Sequence, residues 1–243
     1  MKNWLDRTEL LLGKEKLDVL QRSHVLVAGL GGVGAYLAES LCRAGLGELT
    51  LADSDIIKPS NRNRQLIALT STEGRLKAEV MAERLLDINP NIHLHTITQY
   101  LKDDVLKEVV CRPYDYVADA LDTLSPKLFL LIHSVNYGHK VISSMGAGSK
   151  IHPERIMVAD ISETNTCPLA LLLRKRLKKH GIAKGIKAVF SDEAIMEGSR
   201  KYMDDELNKK TIVGTISYMP AIFGLFMASV IIRDLTGTLP TAH

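Results

Sequence analysis

The sequence predicts an α/β fold, a doubly wound and mostly parallel sheet with helices on both faces. Three observations support this. Apolar runs of strand length alternate with helix-length segments from residue 24 onward, the first run leads into a glycine-rich turn, and no clear linker interrupts the 243 residues. We therefore expect a single domain over residues 1–243.

The alternation is regular up to residue 145. It predicts helices over residues 32–44, 74–88, 102–110 and 125–137, and the strands HVLVAG, ELTLAD, IHLHTIT, YDYVADAL and HKVISSM. After Gly146 the rhythm loosens. RIMVADI and KAVFSDE are interpreted as further strands on either side of the helix PLALLLRKRLKK, so we expect a mixed C-terminal extension of the sheet.

Two later segments need separate interpretation. Residues 192–210 are polar and charged, which is typical of a long surface loop or lid. Residues 211–232 carry no charge and are long enough to cross a bilayer. Because they contain Gly214, Pro220 and Gly224, we interpret them as a turn or strand followed by a buried helix starting near Pro220, without an integral membrane span. Peripheral membrane contact through this apolar segment remains a hypothesis.

Composition is that of an ordinary globular chain, with 46% hydrophobic and 24% charged residues and a net charge of +3. The three cysteines form no C-x-x-C pair. This argues against a disulfide framework or a four-cysteine zinc site and favours the cytoplasm. The first 20 residues lack the apolar core of a signal peptide. The eight histidines show no recognisable ligand motif, so we assign them no metal.

A glycine-rich turn follows the first strand. Gly29, Gly31 and Gly34 have G-x-G-x-x-G spacing, with Gly32 as an extra glycine, and Asp53 ends the second strand. Such a turn lets backbone approach phosphate at a helix N-terminus, and the carboxylate can accept hydrogen bonds from ribose hydroxyls. The arrangement predicts a Rossmann-like nucleotide site and leaves NAD and ATP both open.

The loop after Asp53 favours ATP. It contains Asn61, Arg62, Arg64 and Gln65, and Lys77 follows on the next helix. Cations at the strand ends suit a triphosphate whose α-phosphorus is attacked, because charge on the phosphates and the leaving pyrophosphate must be offset. On charge alone, a solvated loop is the alternative.

These residues resemble the ThiF/MoeB family of adenylating enzymes, related to the ubiquitin-activating enzymes. The family patterns S-N-x-x-R-Q, G-x-x-K and I-N-P have counterparts at residues 60–65, 74–77 and 88–90, and ADALDT resembles the segment that ends in a metal-binding Asp, here Asp122. The resemblance implies ATP and Mg²⁺ as cofactors and Asp122 as the metal ligand. The implied nucleotide-binding residues are Gly29, Gly31, Gly32, Gly34, Asp53, Asp55, Asn61, Arg64, Gln65, Lys77 and Asp122.

Catalytic roles are implied for Asp122, Arg64, Lys77 and Arg7. Arg7 resembles an arginine that family members donate across a dimer interface, so the resemblance also implies a homodimer; an exposed helix charge is the alternative reading of Arg7.

The second half resembles one branch of that family, the tRNA threonylcarbamoyladenosine dehydratases, at residues 146–156, 168–177 and 189–193. This implies a nucleotide-binding half over about residues 20–150 and a substrate-binding half over about residues 151–243. The implied reaction activates the threonyl carboxylate of the modified adenosine near the anticodon and cyclises it, with no catalytic cysteine.

A tRNA partner agrees with the basic run at residues 174–187, which has seven Lys or Arg and no acid. Arg174, Arg176, Lys178 and Lys179 are the candidate phosphate contacts, although a basic run alone is more often a solvated helix face.

Three alternatives remain open. An activator of a small sulfur-carrier protein would use Cys167 as nucleophile, although a cysteine there is more often incidental, and a sulfur-relay partner is a further candidate. An NAD-dependent oxidoreductase would leave Arg64 and Lys77 without a task, and a scaffold without turnover would not need the Asp53, Arg64, Lys77 and Asp122 set.

Overall fold

The computed structural model describes residues 3–202 and 211–238. Its strands are β1 (His24–Ala28), β2 (Glu48–Ala52), β3 (His93–Ile97), β4 (Tyr116–Asp119), β5 (Val141–Ser144), β6 (Ile156–Asp160), β7 (Lys187–Ser191), β8 (Arg200–Tyr202) and β9 (Thr211–Val213). Its α-helices are α1 (Asp6–Leu12), α2 (Lys14–Arg22), α3 (Gly34–Arg43), α4 (Lys77–Ile88), α5 (Asp103–Val110), α6 (Leu124–Asn136), α7 (Pro168–Lys179) and α8 (Tyr218–Thr236).

Seven strands form one sheet in the order β3-β2-β1-β4-β5-β7-β6. All neighbours are parallel except β6, which runs antiparallel to β7 at the edge. The α/β class, the mostly parallel sheet and its mixed C-terminal extension are therefore confirmed. The order turns back at β1, whose neighbours are β2 on one side and β4 on the other, and this is the position where open α/β sheets leave a crevice for ligands.

Helices cover both faces of the sheet. On one face α3, α4 and α8 pack with apolar side chains of β1, β2, β4, β5 and β7. On the other face α5 and α6 cover β1 and β4, and α6 and α7 cover β5 and β7. Because the central strands are buried on both faces, β4 and β5 have no exposed residue, as expected for parallel strands between helices.

The apolar C-terminal segment forms a core helix. Within the described residues, α8 is the one helix long and apolar enough to cross a membrane. It nevertheless packs against α2, α3, β5 and β7 and buries Met219, Phe223 and Met227. Asp234 near its end accepts a hydrogen bond from the Tyr116 hydroxyl at 2.8 Å and pairs with Lys187. These contacts supply the covering layer that the sheet needs.

The first two helices lie at the amino-terminal edge of the sheet. Leu5, just before α1, packs beside Gly45 in the loop that leads into β2. Helix α2 buries Leu17 and Leu20, whereas α1 buries no residue. Leu10 and Leu11 of α1 are 82% and 83% exposed, so this helix presents an apolar surface to its surroundings.

One local prediction was incomplete. Part of the segment expected to be a loop over residues 192–210 is strand: β8 pairs antiparallel with β9, and Val213 packs against Gly148 after β5. Residues 203–210 lie outside the described residues. Helix α8 begins at Tyr218, two residues before Pro220, because proline fits the first turn, where no helical hydrogen bond is lost.

Helix α8 approaches α3 closely at one glycine, which gives a test of this packing. A Cβ on Gly224 would lie 2.4 Å from the Val33 carbonyl oxygen. Helix propensity alone would make Gly224→Ala stabilising by about 1 kcal/mol. We expect instead a loss of about 1–3 kcal/mol in the free energy of unfolding, because backbone must move. Urea denaturation measures it. Leu225→Ala, at a half-exposed neighbour, should change stability by less than about 1 kcal/mol, and a stabilised Gly224→Ala would contradict the packing described here.

Candidate functional site

The glycine turn lies at the point where β1 and β4 separate. Gly29 has φ of +90°, and a Cβ there would lie 2.7 Å from the Ala120 carbonyl oxygen just beyond β4. At Gly34 a Cβ would lie 1.8 Å from the Gly29 carbonyl oxygen. Packing therefore requires both glycines. Gly31 differs, since the nearest atom to a Cβ there is the Gln65 Nε2 at 3.7 Å, and its bare backbone suits the approach of a ligand.

Asp53 supports this turn from the end of β2. Its Oδ2 accepts a hydrogen bond from the Leu30 amide at 2.6 Å, and its Oδ1 accepts one from the Asp55 amide at 2.9 Å. Burial raises the pKa of the Asp53 carboxyl, and the nearby Lys77 ammonium opposes that rise. The carboxylate thus fixes the turn and keeps acceptor positions for a further donor such as a ribose hydroxyl.

Lys77 is a buried cation beside that carboxylate. It is the first residue of α4, and its side chain is 6% exposed. The Nζ donates a hydrogen bond to Asp55 Oδ2 at 2.7 Å and lies 4.0 Å from Asp53 Oδ2. A charge taken out of water needs partners of opposite sign, and the two carboxylates supply them. The structure therefore brings together Asp53, Asp55 and Lys77, three of the residues predicted to bind the nucleotide.

The loop after β2 brings Asn61, Arg64 and Gln65 to the same place. Gln65 is 8% exposed, and its buried Oε1 has no hydrogen-bond partner among the described residues. The Arg64 carbonyl faces Gly32, and the Arg64 guanidinium is held by the Ser60 carbonyl and by the Asn63 side chain. The Asn61 side chain instead caps its own turn by accepting from the Lys58 amide. The Gln65 amide thus lies beside the open glycine Gly31, and the Arg64 backbone lies against Gly32.

This side of the site is joined to the C-terminal half at two points. Asn63 Nδ2 donates a hydrogen bond to the Thr215 carbonyl at 3.0 Å. A Cβ on Gly32 would lie 2.9 Å from the Pro220 ring of α8, so the glycine turn and α8 touch.

Asp122 lies on the other side of the turn, in the exposed loop after β4. Thr123 Oγ1 donates a hydrogen bond to its Oδ1 at 3.3 Å. An exposed carboxylate at the carboxyl end of a central strand is well placed to bind a hard cation together with phosphate oxygens.

A buried ion pair beneath Asp122 was missed by the sequence analysis. The Lys127 Nζ and Asp119 Oδ2 are 2.7 Å apart, and both side chains are fully buried. Ser143 donates to the same oxygen at 2.6 Å. Burial raises the pKa of Asp119, an effect that Lys127 and Ser143 oppose.

The network fixes the loop that presents Asp122. Asp119 Oδ1 accepts from the Leu121 amide, and Lys127 Nζ donates to the Leu121 carbonyl. In the sequence this network is visible only as one acid at the end of an apolar strand and one lysine within an apolar helix. That pattern does not reveal that the two side chains form an ion pair.

Two predicted groups lie elsewhere. Arg7 is exposed on α1, at the opposite edge of the sheet from the glycine turn, so its own chain does not bring it to the site. Helix α7 begins beside Gly146, after β5, and its basic last turn points away from that end. Arg176, Lys178 and Lys179 are exposed, whereas the Arg174 guanidinium is bound to Thr164.

Cys167 is buried at the start of α7, with 5% of its surface exposed. Near it, Lys150 Nζ donates to the Glu193 carbonyl at 2.6 Å, and burial lowers the Lys150 pKa. The Glu193 carboxylate accepts from the Ile151 and His152 amides. Cys42 is also buried, which raises its pKa to about 11, whereas Cys111 is exposed. A thiol that is buried is a poor nucleophile for a large substrate.

Chemically, the site combines an open backbone turn, a buried cation, an unpartnered amide oxygen and an exposed carboxylate around one crevice. A sequence model of the ThiF family matches residues 5–243. The chain belongs to the ThiF family.

Its curated relatives cover most of its length. It is 38% identical to the tRNA threonylcarbamoyladenosine dehydratase of Bacillus subtilis, over 97% of this chain and 95% of the relative. It is also 38% identical to the Escherichia coli protein of the same name, over 78% of this chain and 73% of the relative. The crystal structure of E. coli TcdA in complex with ATP superposes with a TM-score of 0.88 at 33% identity, covering 98% of this chain and 96% of that one.

In sequence, the sulfur-carrier activators match less of the chain. The sulfur carrier protein ThiS adenylyltransferase of E. coli is 38% identical over 49% of this chain and 48% of its own length. The dehydratases thus match a larger share of this chain than the sulfur-carrier activator does. This favours the resemblance of the second half to the dehydratases over the sulfur-carrier alternative.

The Lys77 pair gives a test of the site's electrostatics. In Lys77→Met the rise in the Asp53 pKa would be unopposed. When the pKa of a carboxyl is higher in the folded than in the unfolded protein, the folded protein loses stability as the pH rises above the carboxyl's unfolded-state pKa of about 4. The free energy of unfolding of the variant should therefore fall increasingly below that of wild type between pH 4 and pH 8, with a difference of about 1–3 kcal/mol at pH 8. Denaturation at several pH values measures this.

The matched control is Arg75→Met, which removes an exposed cation paired with Glu83. Its loss in the free energy of unfolding should stay below about 1 kcal/mol and should not increase comparably with pH. An equal pH dependence in both variants would contradict the role assigned to Lys77.

Proposed function

We propose that this protein is an ATP-dependent dehydratase that cyclises threonylcarbamoyladenosine in tRNA. The observation that carries the proposal is the buried Lys77 ammonium beside the open glycine turn at the β1/β4 crevice. Charge develops on the pyrophosphate that leaves a triphosphate, and a buried cation can offset it, whereas the phosphates of a dinucleotide do not change charge during hydride transfer. The full-length similarity to proteins named for this activity supports the choice of substrate.

The described residues fit ATP at several positions. Asp53 retains acceptor capacity for the ribose, Gly31 leaves its backbone open to phosphate oxygens, and the unpartnered Gln65 Oε1 can accept from the nucleotide. Lys77 and Arg64 supply positive charge for the phosphates. Gly29, Gly32, Gly34, Asp55 and Asn61 complete the proposed contacts.

Asp122 is the proposed ligand of Mg²⁺. The ion would keep several waters and bind through one carboxylate and phosphate oxygens, as is usual for Mg²⁺ at nucleotide sites. Its chemistry there would be to neutralise charge on the departing pyrophosphate. The Asp119–Lys127 pair would act by positioning, since it holds the backbone from which Asp122 projects.

The proposed reaction has two steps. An oxygen of the threonyl carboxylate attacks the α-phosphorus of ATP, an O–P bond forms, and pyrophosphate leaves. An atom of the carbamoyl group of the same nucleoside then attacks the activated carbonyl, a ring closes, AMP leaves with the carboxylate oxygen, and a carbamoyl N–H proton is released to solvent. The nucleoside loses one water in total. Because nucleophile and electrophile share one substrate, proximity replaces a catalytic cysteine.

The tRNA would lie across the C-terminal half. The exposed Arg176, Lys178 and Lys179 form a basic end of α7 that can contact backbone phosphates. This end faces away from the glycine turn, so such contacts would hold the tRNA body. Arg174, bound to Thr164, is the least available of the four predicted contacts.

A homodimer would explain α1. Leu10 and Leu11 are exposed apolar side chains on a helix with no buried residue, and Arg7 precedes them. A second copy of the chain covering α1 would bury these leucines and deliver Arg7 to the partner's phosphates. A cytoplasmic location, with a sulfur-relay protein or a membrane surface as a further peripheral contact, completes the proposal.

Mass spectrometry of tRNA nucleosides tests the activity. Incubation of the protein with ATP, Mg²⁺ and threonylcarbamoyladenosine-bearing tRNA should lower the nucleoside mass by about 18 Da, one water, when base and amine buffers are avoided. Asp122→Ala should reduce the rate by about 100-fold or more, because transition-state charge on the phosphates loses its metal.

Two controls separate the alternatives. Asp104→Ala removes an exposed acid on α5 and should leave the rate unchanged. Cys167→Ser should also retain activity. No mass loss, together with ATP–pyrophosphate exchange that requires a protein ending in Gly-Gly, would favour the sulfur-carrier activator and contradict the proposal.

Salt dependence of tRNA binding tests the basic end of α7. Arg176→Ala/Lys178→Ala should weaken binding at low salt and reduce the slope of log K against log salt by roughly 0.7–0.9 for each phosphate that is no longer bound. Fluorescence anisotropy at three salt concentrations measures the slope. The control, Lys102→Ala/Lys107→Ala, removes the same charge from exposed positions near α5 and should leave the slope unchanged. Equal slopes in the two double variants would place the tRNA elsewhere.

A further inference from the structure

Three strands bring two imidazoles and a carboxylate together on one face of the sheet. His24 begins β1, Glu48 begins β2, and His95 lies within β3. The parallel register pairs His24 with Glu48 and Thr50 with His95, so all four side chains point to the same face. One ligand atom each from His24, Glu48 and His95 lies within 4.8 Å of the others.

The distances place Glu48 between the two rings. Glu48 Oε1 is 2.7 Å from His95 Nε2 and 3.5 Å from His24 Nδ1. A zinc ion with bonds of about 2.0–2.2 Å in tetrahedral geometry has ligand atoms roughly 3.3–3.6 Å apart. Side-chain adjustments on the order of 1 Å would therefore bring the three atoms onto one ion without moving a strand.

A second contact sets the orientation of His24. Its Nε2 is 2.8 Å from the Thr50 hydroxyl, which is fully buried on the adjacent strand. A histidine that donates Nε2–H to a hydroxyl presents its Nδ1 lone pair, here toward Glu48. Hydrogen bonds of this kind fix the tautomer of metal-binding histidines in known sites. Tyr114 packs edge-on to the same ring, with centroids 4.7 Å apart, and holds its plane.

Electrostatics around His24 suit a cation. Burial lowers the pKa of the His24 imidazole, and the neighbouring Glu48 carboxylate opposes that shift. The Asp115 carboxylate accepts a hydrogen bond from the His24 amide at 2.8 Å and adds negative charge, which Arg112 partly offsets. His95 is half exposed at the outer side of the cluster, so an ion could enter from solvent.

We propose that His24, Glu48 and His95 form a binding site for Zn²⁺, separate from the nucleotide crevice, with water as the fourth ligand. Two imidazoles and one carboxylate are a donor set that zinc uses in other proteins. The ion would bridge the amino-terminal halves of β1, β2 and β3, and the carboxyl ends of β1 and β2 carry Gly29 and Asp53. The proposed site differs from the interpretation of the sequence, in which the eight histidines showed no metal-binding motif.

The site depends on strand register, which explains why the sequence does not show it. The three ligands are separated by 24 and 47 positions, far from the i, i+4 or C-x-x-C spacings that mark local metal motifs. Only the pairing of three parallel strands makes them neighbours.

Zinc binding to the full chain tests the proposal without any measurement of enzyme activity. Isothermal titration of the chelator-treated protein with Zn²⁺, in the absence of nucleotide and Mg²⁺, should give one ion per chain. His95→Ala should weaken the affinity at least tenfold. Zn²⁺ at about 100 times its dissociation constant should raise Tm of wild type by roughly 5–10 °C, and that of His95→Ala far less.

The matched control is His93→Ala. His93 is an exposed histidine on the same face of the same strand, two residues away and outside the cluster. Its affinity should stay within about threefold of wild type. Glu48→Gln, which keeps the shape and removes the charge, should weaken binding as His95→Ala does.

Three results would overturn the proposal: no binding to wild type, equal losses in the His93 and His95 variants, or a Co²⁺ derivative without the visible absorption of a tetrahedral site.

Discussion

The contact between Gly29 and the Ala120 carbonyl determines the geometry of everything around it. It holds the ends of β1 and β4 together at the place where the chain leaves them for helices on opposite faces. A side chain at Gly29 would push these ends apart and displace the turn from Asp53, whose carboxylate holds the Leu30 amide. The turn keeps its shape because the backbones at Gly29 and Ala120 approach too closely to admit a Cβ, while Gly31 stays open toward the crevice.

Buried charge then lies on each side of that contact. On one side Lys77 is held by Asp53 and Asp55, and on the other Lys127 is held by Asp119. The two pairs differ in purpose. Asp55 is 65% exposed, so the Lys77 pair can exchange a partner for an incoming anion. The Asp119–Lys127 pair is sealed, and its remaining hydrogen bonds go to Ser143 and to the loop backbone, which makes it a fixed support.

Much of the fold and part of the site could be predicted from sequence because their signals are local. Alternating apolar runs located β1 to β5, and the glycine spacing with Asp53 located the crevice. Lys77 was named because it is the lysine of the G-x-x-K pattern at residues 74–77, on which the family resemblance rests. The Asp119–Lys127 pair, the β8–β9 pairing and the cluster of His24, Glu48 and His95 were not found. Each depends on which segments become neighbours in space, and neither periodicity nor residue type records that.

The links from Asn63 to the Thr215 carbonyl and from Gly32 to Pro220 bear on modularity. The half that would bind the nucleotide and the half that would select the substrate pack directly against each other and are not separated by a linker. Domains joined by a linker can be recombined, since each keeps its own surface. Here a transplanted C-terminal half from a relative with another substrate would need a carbonyl and a pyrrolidine ring in the same positions, or the glycine turn would lose its backing. Substrate range in such a fold can change by replacing residues within the half, and much less readily by exchanging the half itself.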